Sequence, residues 1–251
     1  MEAGAEGDEG FGKMTDDALR ELLTRAKAGD AGARNAMVEA CRDFIFSLVS
    51  AYCRRPLVWG QDDELSIALM AFDEAITRYR PERGVPFLAF ARLVIKSRLA
   101  NYFRQENRHR KASPGINVFE ELSRDEAAAA WEEFLWQSVV RDRAEEIAEY
   151  EKMLNKLGIS LEELVLLSPK HRDSRLALIS AARSLAAEKN LFEQSLFLLQ
   201  KKRLPVNSIA EKTGLGPKTV ERNRKYLLAL AIIFRYPERF IYLNSYINKV
   251  S

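Results

Sequence analysis

Apolar residues recur along this chain at intervals of three and four from about residue 15 to the end, and no stretch alternates apolar with polar over strand-like lengths. The pattern predicts an all-α protein. Residues 1–13 are acidic and glycine-rich and predict a disordered tail. Thr15-Asp16-Asp17 is N-cap chemistry for a helix through Ala28 that Gly29 ends, and a second long helix is expected over about 31–52, before Pro56 and Gly60 break the chain. Asp62-Asp63-Glu64 sets acids at the positive end of a helix running to about Tyr79. Pro81-Glu82-Arg83-Gly84 then makes a turn into a helix over about 86–108. These four helices form one expected domain, residues 14–112. Ser113-Pro114-Gly115 opens a Glu/Ala-rich, helical or partly flexible connector, an acidic linker over 113–144. A second helical domain, 145–251, carries breaks at Gly158, Ser168-Pro169, Pro205 and Gly214-Leu215-Gly216-Pro217.

Within these helices the faces are unequal. On the helix from Asp63, an inward face of Leu65, Ala68, Leu69, Phe72, Ile76 and Tyr79 opposes one that presents Asp63, Ile67, Met70, Glu74 and Thr77. Exposed Ile and Met among acids make a docking strip, because a partner can bury the apolar pair while carboxylates set its orientation. The same two residues could instead pack on a neighbouring helix of their own domain. On the helix of 86–108, Phe87, Ala91, Val94, Ile95 and Tyr102 point inward, whereas Arg92, Lys96, Ala100 and Arg104 point away. Phe87, Phe90, Tyr102 and Phe103 are interleaved with those cations. An aromatic ring that stacks on an unpaired base is worth ~1–3 kcal/mol, so such a face suits melted nucleic acid. Phe87 serves equally well as core.

Charge sharpens this picture. The formal net charge is only +3, but residues 80–112 hold nine Lys/Arg against two acids, residues 113–151 hold eleven acids against three Arg, and residues 200–251 hold eleven Lys/Arg against three acids. Two basic blocks around an acidic one suggest two contacts with a polyanion, since clustered cations displace counterions from a phosphate backbone. In the second block, Ile209-Ala210, Gly214 and Pro217-Lys218-Thr219-Val220 have helix-turn-helix form. Lys218, Arg222 and Lys225 fall opposite the inward Val220, Leu227 and Ala231, with Thr219 and Glu221 beside them where a recognition helix meets base edges. A helical hairpin with a solvated basic face would share that pattern. Ile232, Ile233, Phe234, Phe240, Ile241, Tyr242 and Tyr246 make an apolar tail that closes a core or docks a regulator.

Candidate chemistry is sparse. Cys41 and Cys53 sit in helix-like apolar sequence and are expected as buried free thiols, and His109 and His171 are the only histidines. No HExxH, GxSxG, Walker or GxGxxG pattern occurs. No catalytic residue, metal ligand, cofactor or small-molecule substrate is therefore expected, and neither a signal peptide nor an apolar run of membrane-spanning length is found, which suggests the cytosol.

The stretch DELSIALMAFDEAITRYRPERGVPFLAFARLVIKSRLANYFRQENRH, residues 63–109, resembles region 2 of the sigma-70 superfamily: an acidic amphipathic helix, an ERGVxF turn and an aromatic, basic helix in that order. The stretch LPVNSIAEKTGLGPKTVERNRKYLLALAII resembles the C-terminal domain of the sigma-I family of Gram-positive bacteria. The resemblance implies a non-enzymatic alternative sigma factor. Its region 2 bundle would bind the clamp helices of the large subunit of core RNA polymerase through Asp63, Ile67, Met70 and Glu74. It would meet the minus-ten element through Phe87, Phe90, Arg92, Leu93, Lys96 and Arg104, with Phe87 and Phe90 lining the pocket of a flipped adenine. The C-terminal domain would read the minus-thirty-five element of promoter DNA through Lys218, Thr219, Glu221, Arg222 and Lys225. A membrane-anchored anti-sigma factor is implied as regulator. Leu93-Val94 stands where housekeeping members carry paired tryptophans as a melting wedge. A stand-alone helix-turn-helix regulator is the alternative reading, and a recombinase would need a nucleophile or clustered metal carboxylates that the sequence does not supply.

Overall fold

The computed structural model describes residues 16–110, 124–200 and 204–250. The N-terminal tail, the Ser113-Pro114-Gly115 boundary and the first part of the acidic linker lie outside the described residues. Among those described, every regular element is a helix, so the chain is all-α. It divides into two compact units, residues 1–142 and 143–251.

The first unit begins with α1 (Asp16–Lys27), α2 (Ala31–Ala40) and α3 (Arg42–Cys53). Asp30 fixes the first turn of α2: its side chain accepts from the Ala33 N–H at 2.9 Å and from Arg25 at 2.7 Å, and these bonds hold its carboxyl below the usual carboxylate range. The single helix expected over 31–52 is two helices, broken at Cys41, whose φ of −101° and ψ of 10° are not α-helical. The bend lets Met37, Cys41, Phe44, Ile45 and Val49, all buried, share one core. Burial pushes the Cys41 thiol up to about 12. Cys53 is only half-buried.

Helix α4 (Asp63–Arg78) buries Leu65, Ala68, Ala71, Phe72, Ala75 and Ile76, and its main neighbour is α5 (Phe87–Arg110). The turn between them is set locally. Pro81–Arg83 make one turn of 3-10 helix, Gly84 takes the left-handed conformation (φ 68°) that a Cβ would disfavour, and the buried Tyr79 hydroxyl donates to the Val85 carbonyl at 2.6 Å. Burial raises the Tyr79 pKa. Residues 89–95 of α5 are all buried, so this part of the helix is covered all round and not on one side only.

The covering is supplied in part by α6 (Arg124–Lys156), whose residues up to Asp142 belong to the first unit. Leu135, Val139 and Asp142, spaced four and three apart on one face, are buried, while Phe134, Gln137, Val140 and Arg141 are exposed.

The second unit takes the rest of α6, then α7 (Leu161–Leu167), α8 (Arg172–Ala187), α9 (Lys189–Gln200), α10 (Val206–Thr213), α11 (Pro217–Arg222), α12 (Arg224–Arg235) and α13 (Ile241–Val250). Helix α12 is central: residues 227–233 are all buried, it packs chiefly on α8, and the Tyr150 hydroxyl donates to its Ala229 carbonyl at 2.9 Å. Of the apolar tail, Ile232, Ile233, Phe240, Ile241 and Tyr242 are buried, whereas Tyr246 is exposed. The tail is core along most of its length.

Candidate nucleic-acid interface

Three sets of side chains were expected to meet partners, and the fold treats them differently. On α4, Asp63 and Met70 are exposed and Ile67 is half-buried, so the apolar centre of the expected docking strip stands at the surface mainly through Met70, 65% accessible. Glu74 does not belong with them. It accepts two hydrogen bonds from the Arg98 guanidinium of α5, at 2.8 and 2.6 Å, and pairs with Arg78 at 2.9 Å. This carboxylate ties α4 to α5, because a planar guanidinium matches a carboxylate bidentately. Upstream, Arg55 bridges Asp62 and Glu64 at 2.7 and 3.0 Å. The Val58 N–H and then Arg55 hold the Asp62 carboxyl below its ordinary range.

On α5 the outward face expected for Arg92 and Lys96 is occupied. Phe87 is a core residue that meets Phe72 and Tyr79 edge-on, each with ring centroids 5.4 Å apart. Phe90, only 1% exposed, has Tyr79 on one side and on another the Trp136 indole of α6, stacked at 5.1 Å and 21°. The Arg83 guanidinium lies 5.2 Å from the centre of that indole. Arg92 was expected in solvent but is 7% exposed. Its Nε and Nη2 donate to Asp142 Oδ2 at 3.1 and 2.6 Å, while Lys96 Nζ approaches Oδ1 at 3.4 Å. Leu93 and Val94 are buried, so neither presents a wedge at the surface. Arg104 stays exposed and donates to Asn101 Oδ1 at 3.1 Å. Sequence periodicity placed Phe87, Ala91, Val94 and Ile95 inward as found, with Tyr102 only half-buried, and missed the second neighbour, because Trp136 and Asp142 lie on the stretch taken for a linker.

In the second unit, α10, the turn at Gly214 (φ 71°) and α11 make the expected helix-turn-helix, with Ile209 and Val220 fully buried and Pro217 in the first turn of α11. Lys218, Thr219, Glu221 and Arg222 are exposed. Lys225 does not line up with them. The helix breaks at Asn223 (φ −108°, ψ 15°), whose side-chain amide donates to the Thr219 carbonyl at 2.8 Å and so competes with helix continuation. Beyond the break, Lys225 pairs with Glu163 of α7 at 2.6 Å, and Glu221 pairs with Arg224. The surface cations of α11 are Lys218 and Arg222. Among the described residues no cluster of three or more His, Cys, Asp or Glu is placed to hold a metal ion, and no helix is long and apolar enough to cross a membrane.

Comparison with known proteins agrees with this geometry. Residues 37–109, from the end of α2 nearly to the end of α5, match the family model described as Sigma-70 region 2. The chain is 35% identical over 240 residues to RNA polymerase sigma factor SigI of Bacillus subtilis, covering 92% of both proteins. It is 36% identical over 215 residues to the SigI of Bacillus anthracis, 86% of each chain, and 33% identical over 214 residues to SigI3 of Acetivibrio thermocellus, 85% of this chain and 84% of that one. With similarity that runs through both helical units, the chain belongs to the SigI family of RNA polymerase sigma factors, within the sigma-70 superfamily.

Proposed function

We propose that this sigma factor joins core RNA polymerase and directs initiation at a restricted set of promoters, without chemistry of its own. The observation that carries the reading is the pairing of a region 2 bundle with a second helix-turn-helix unit in one chain similar to SigI proteins over 92% of its length. In this reading residues 14–112 serve polymerase binding and the minus-ten element, residues 145–251 serve the minus-thirty-five element, and the stretch between them, expected as a linker, packs on the first unit through α6 up to Asp142. Asp63, Ile67 and Met70 meet the clamp helices of the large subunit. Phe90, Arg92, Lys96 and Arg104 meet the melted minus-ten strand, with Leu93 and Phe87 behind them in the core. Lys218, Thr219, Glu221 and Arg222 face the minus-thirty-five duplex, with Lys225 at the edge. A membrane-anchored anti-sigma factor holds the protein inactive in the cytosol.

Run-off transcription with purified core polymerase tests this reading. The expected result is transcript from a cognate promoter only when the protein is added, lost in the Met70→Lys variant together with co-purification of polymerase, while helicity by circular dichroism is retained. Tight duplex binding without polymerase, and no stimulation of transcription with it, would instead favour a stand-alone helix-turn-helix regulator.

A further inference from the structure

Trp136 and Asp142 lie six residues apart on α6 and occupy the two things on α5 that a single strand of DNA would use: the face of an aromatic ring and a pair of cations. The indole stacks on Phe90 at 5.1 Å with planes 21° apart, the arrangement of a base on a protein ring, and the Arg83 guanidinium lies against it. The Asp142 carboxylate receives Arg92 at 2.6 Å and Lys96 at 3.4 Å, as a phosphate would. From these juxtapositions we infer that the segment 134–142 of α6 is an intramolecular occupant of the minus-ten face, which single-stranded DNA displaces. The inference rests on the assignment of α5 to the minus-ten strand.

The contact is built for exchange. One ring leaves Phe90 as another arrives, and one anion leaves Arg92 and Lys96 as another arrives, so neither the stacking nor the buried cation is left unmet in the open state. A buried ion pair is weak evidence for stability, because desolvation cancels much of its attraction. Around the contact on α6, Leu135 and Val139 bury apolar side chains, while Glu133, Phe134, Gln137, Val140 and Arg141 face solvent, so the segment is held by two apolar residues beside Trp136 and Asp142. A strand that also releases counterions along its phosphates gains what one carboxylate does not. While the segment is seated, only the open fraction of the protein is competent, and apparent affinity for the strand falls by that fraction. The consequence is a sigma factor with little affinity for unpaired DNA until assembly or excess strand unseats the helix.

The test is binding of a short fluorescein-labelled single-stranded DNA to the full-length protein without polymerase, by fluorescence anisotropy. Trp136→Ala combined with Asp142→Ala is expected to tighten binding by about tenfold or more, the scale of one stacking contact exchanged. A folded double variant with unchanged or weaker affinity overturns the inference. Because the double variant could lose folding, the wild-type protein is also followed by hydrogen exchange: excess DNA is expected to speed exchange at residues 134–142, and unchanged or slowed exchange there with DNA bound overturns the inference. Run-off transcription with core polymerase separates this result from the functional reading. Specific initiation beside a negative binding result rejects the intramolecular occupant alone, whereas loss of both rejects the assignment of α5 as well.

Discussion

Replacing Glu146 should unfold the second unit at markedly lower temperature while sparing the first. Glu146 is 3% exposed, and its two carboxyl oxygens accept from the backbone N–H groups of Ile241 at 3.1 Å and Leu243 at 2.9 Å. These amides belong to the first turn of α13, where no preceding turn supplies carbonyls, so a side chain 95 residues away does the work of an N-cap. Phe240, Ile241 and Tyr242 are buried around it, and water cannot readily take over. Glu146→Ala leaves one buried and one partly buried amide unpaired, at about 1–3 kcal/mol each before relaxation. Allowing α13 to fray and recover part of that, the net cost is about 2–4 kcal/mol, or roughly 10–20 °C in the midpoint of a unit this size. Glu146→Gln retains one acceptor oxygen and should lose about half as much. Calorimetry of the full chain reads the midpoint, and hydrogen exchange reads whether the Ile241 and Leu243 amides lose protection. A shift below about 3 °C in Glu146→Ala, with those amides still protected, would show that the carboxylate is incidental to the seating of α13.

The remaining expectations concern the two helices proposed to meet DNA and the thiols. Arg222→Ala should weaken duplex promoter binding by ~1–3 kcal/mol at one promoter position if it reads a base, or uniformly with a shallower salt slope if it holds a phosphate, whereas Lys225→Ala, already held by Glu163, should change affinity less. Anisotropy titrations at several salt concentrations check both, and equal losses in the two variants would contradict the break at Asn223. Leu93→Trp, which would restore a wedge ring if position 93 were at the surface, should instead overpack a site that is 8% exposed and cost about 1–3 kcal/mol in denaturant titrations. Native alkylation at pH 8 should modify Cys53 well before Cys41, since burial pushes the Cys41 thiol up to about 12; mass spectrometry of the labelled peptides reads the order.

What could be read from the sequence was what short-range chemistry decides. The α4–turn–α5 unit follows from apolar spacing and from Pro81 and Gly84, and the helix-turn-helix of the second unit from Gly214 and Pro217, all acting within a few residues. The bends at Cys41 and Asn223 carry neither Pro nor Gly, and they moved the faces projected beyond them: Lys225 left the recognition face because an ideal helix was extended through Asn223.

Helix α6 escaped the reading for a different reason. Its buried positions, Leu135, Val139 and Asp142 in the first unit and Glu146, Tyr150 and Leu154 in the second, recur at spacings of three and four like any core stripe. Two of the six are carboxylates in a stretch already rich in exposed acids, so the stripe is diluted below recognition and the stretch resembles a solvated connector. A buried acid becomes intelligible only with its partner, and here the partners are Arg92, fifty residues upstream, and the amides of α13, 95 and 97 residues downstream. Hydrophobic periodicity has no term for such pairs. The same fact explains why the minus-ten candidates looked exposed: Arg92 and Lys96 were assigned to solvent on charge alone, and charge marks a surface position only when no carboxylate elsewhere in the chain folds back to meet it.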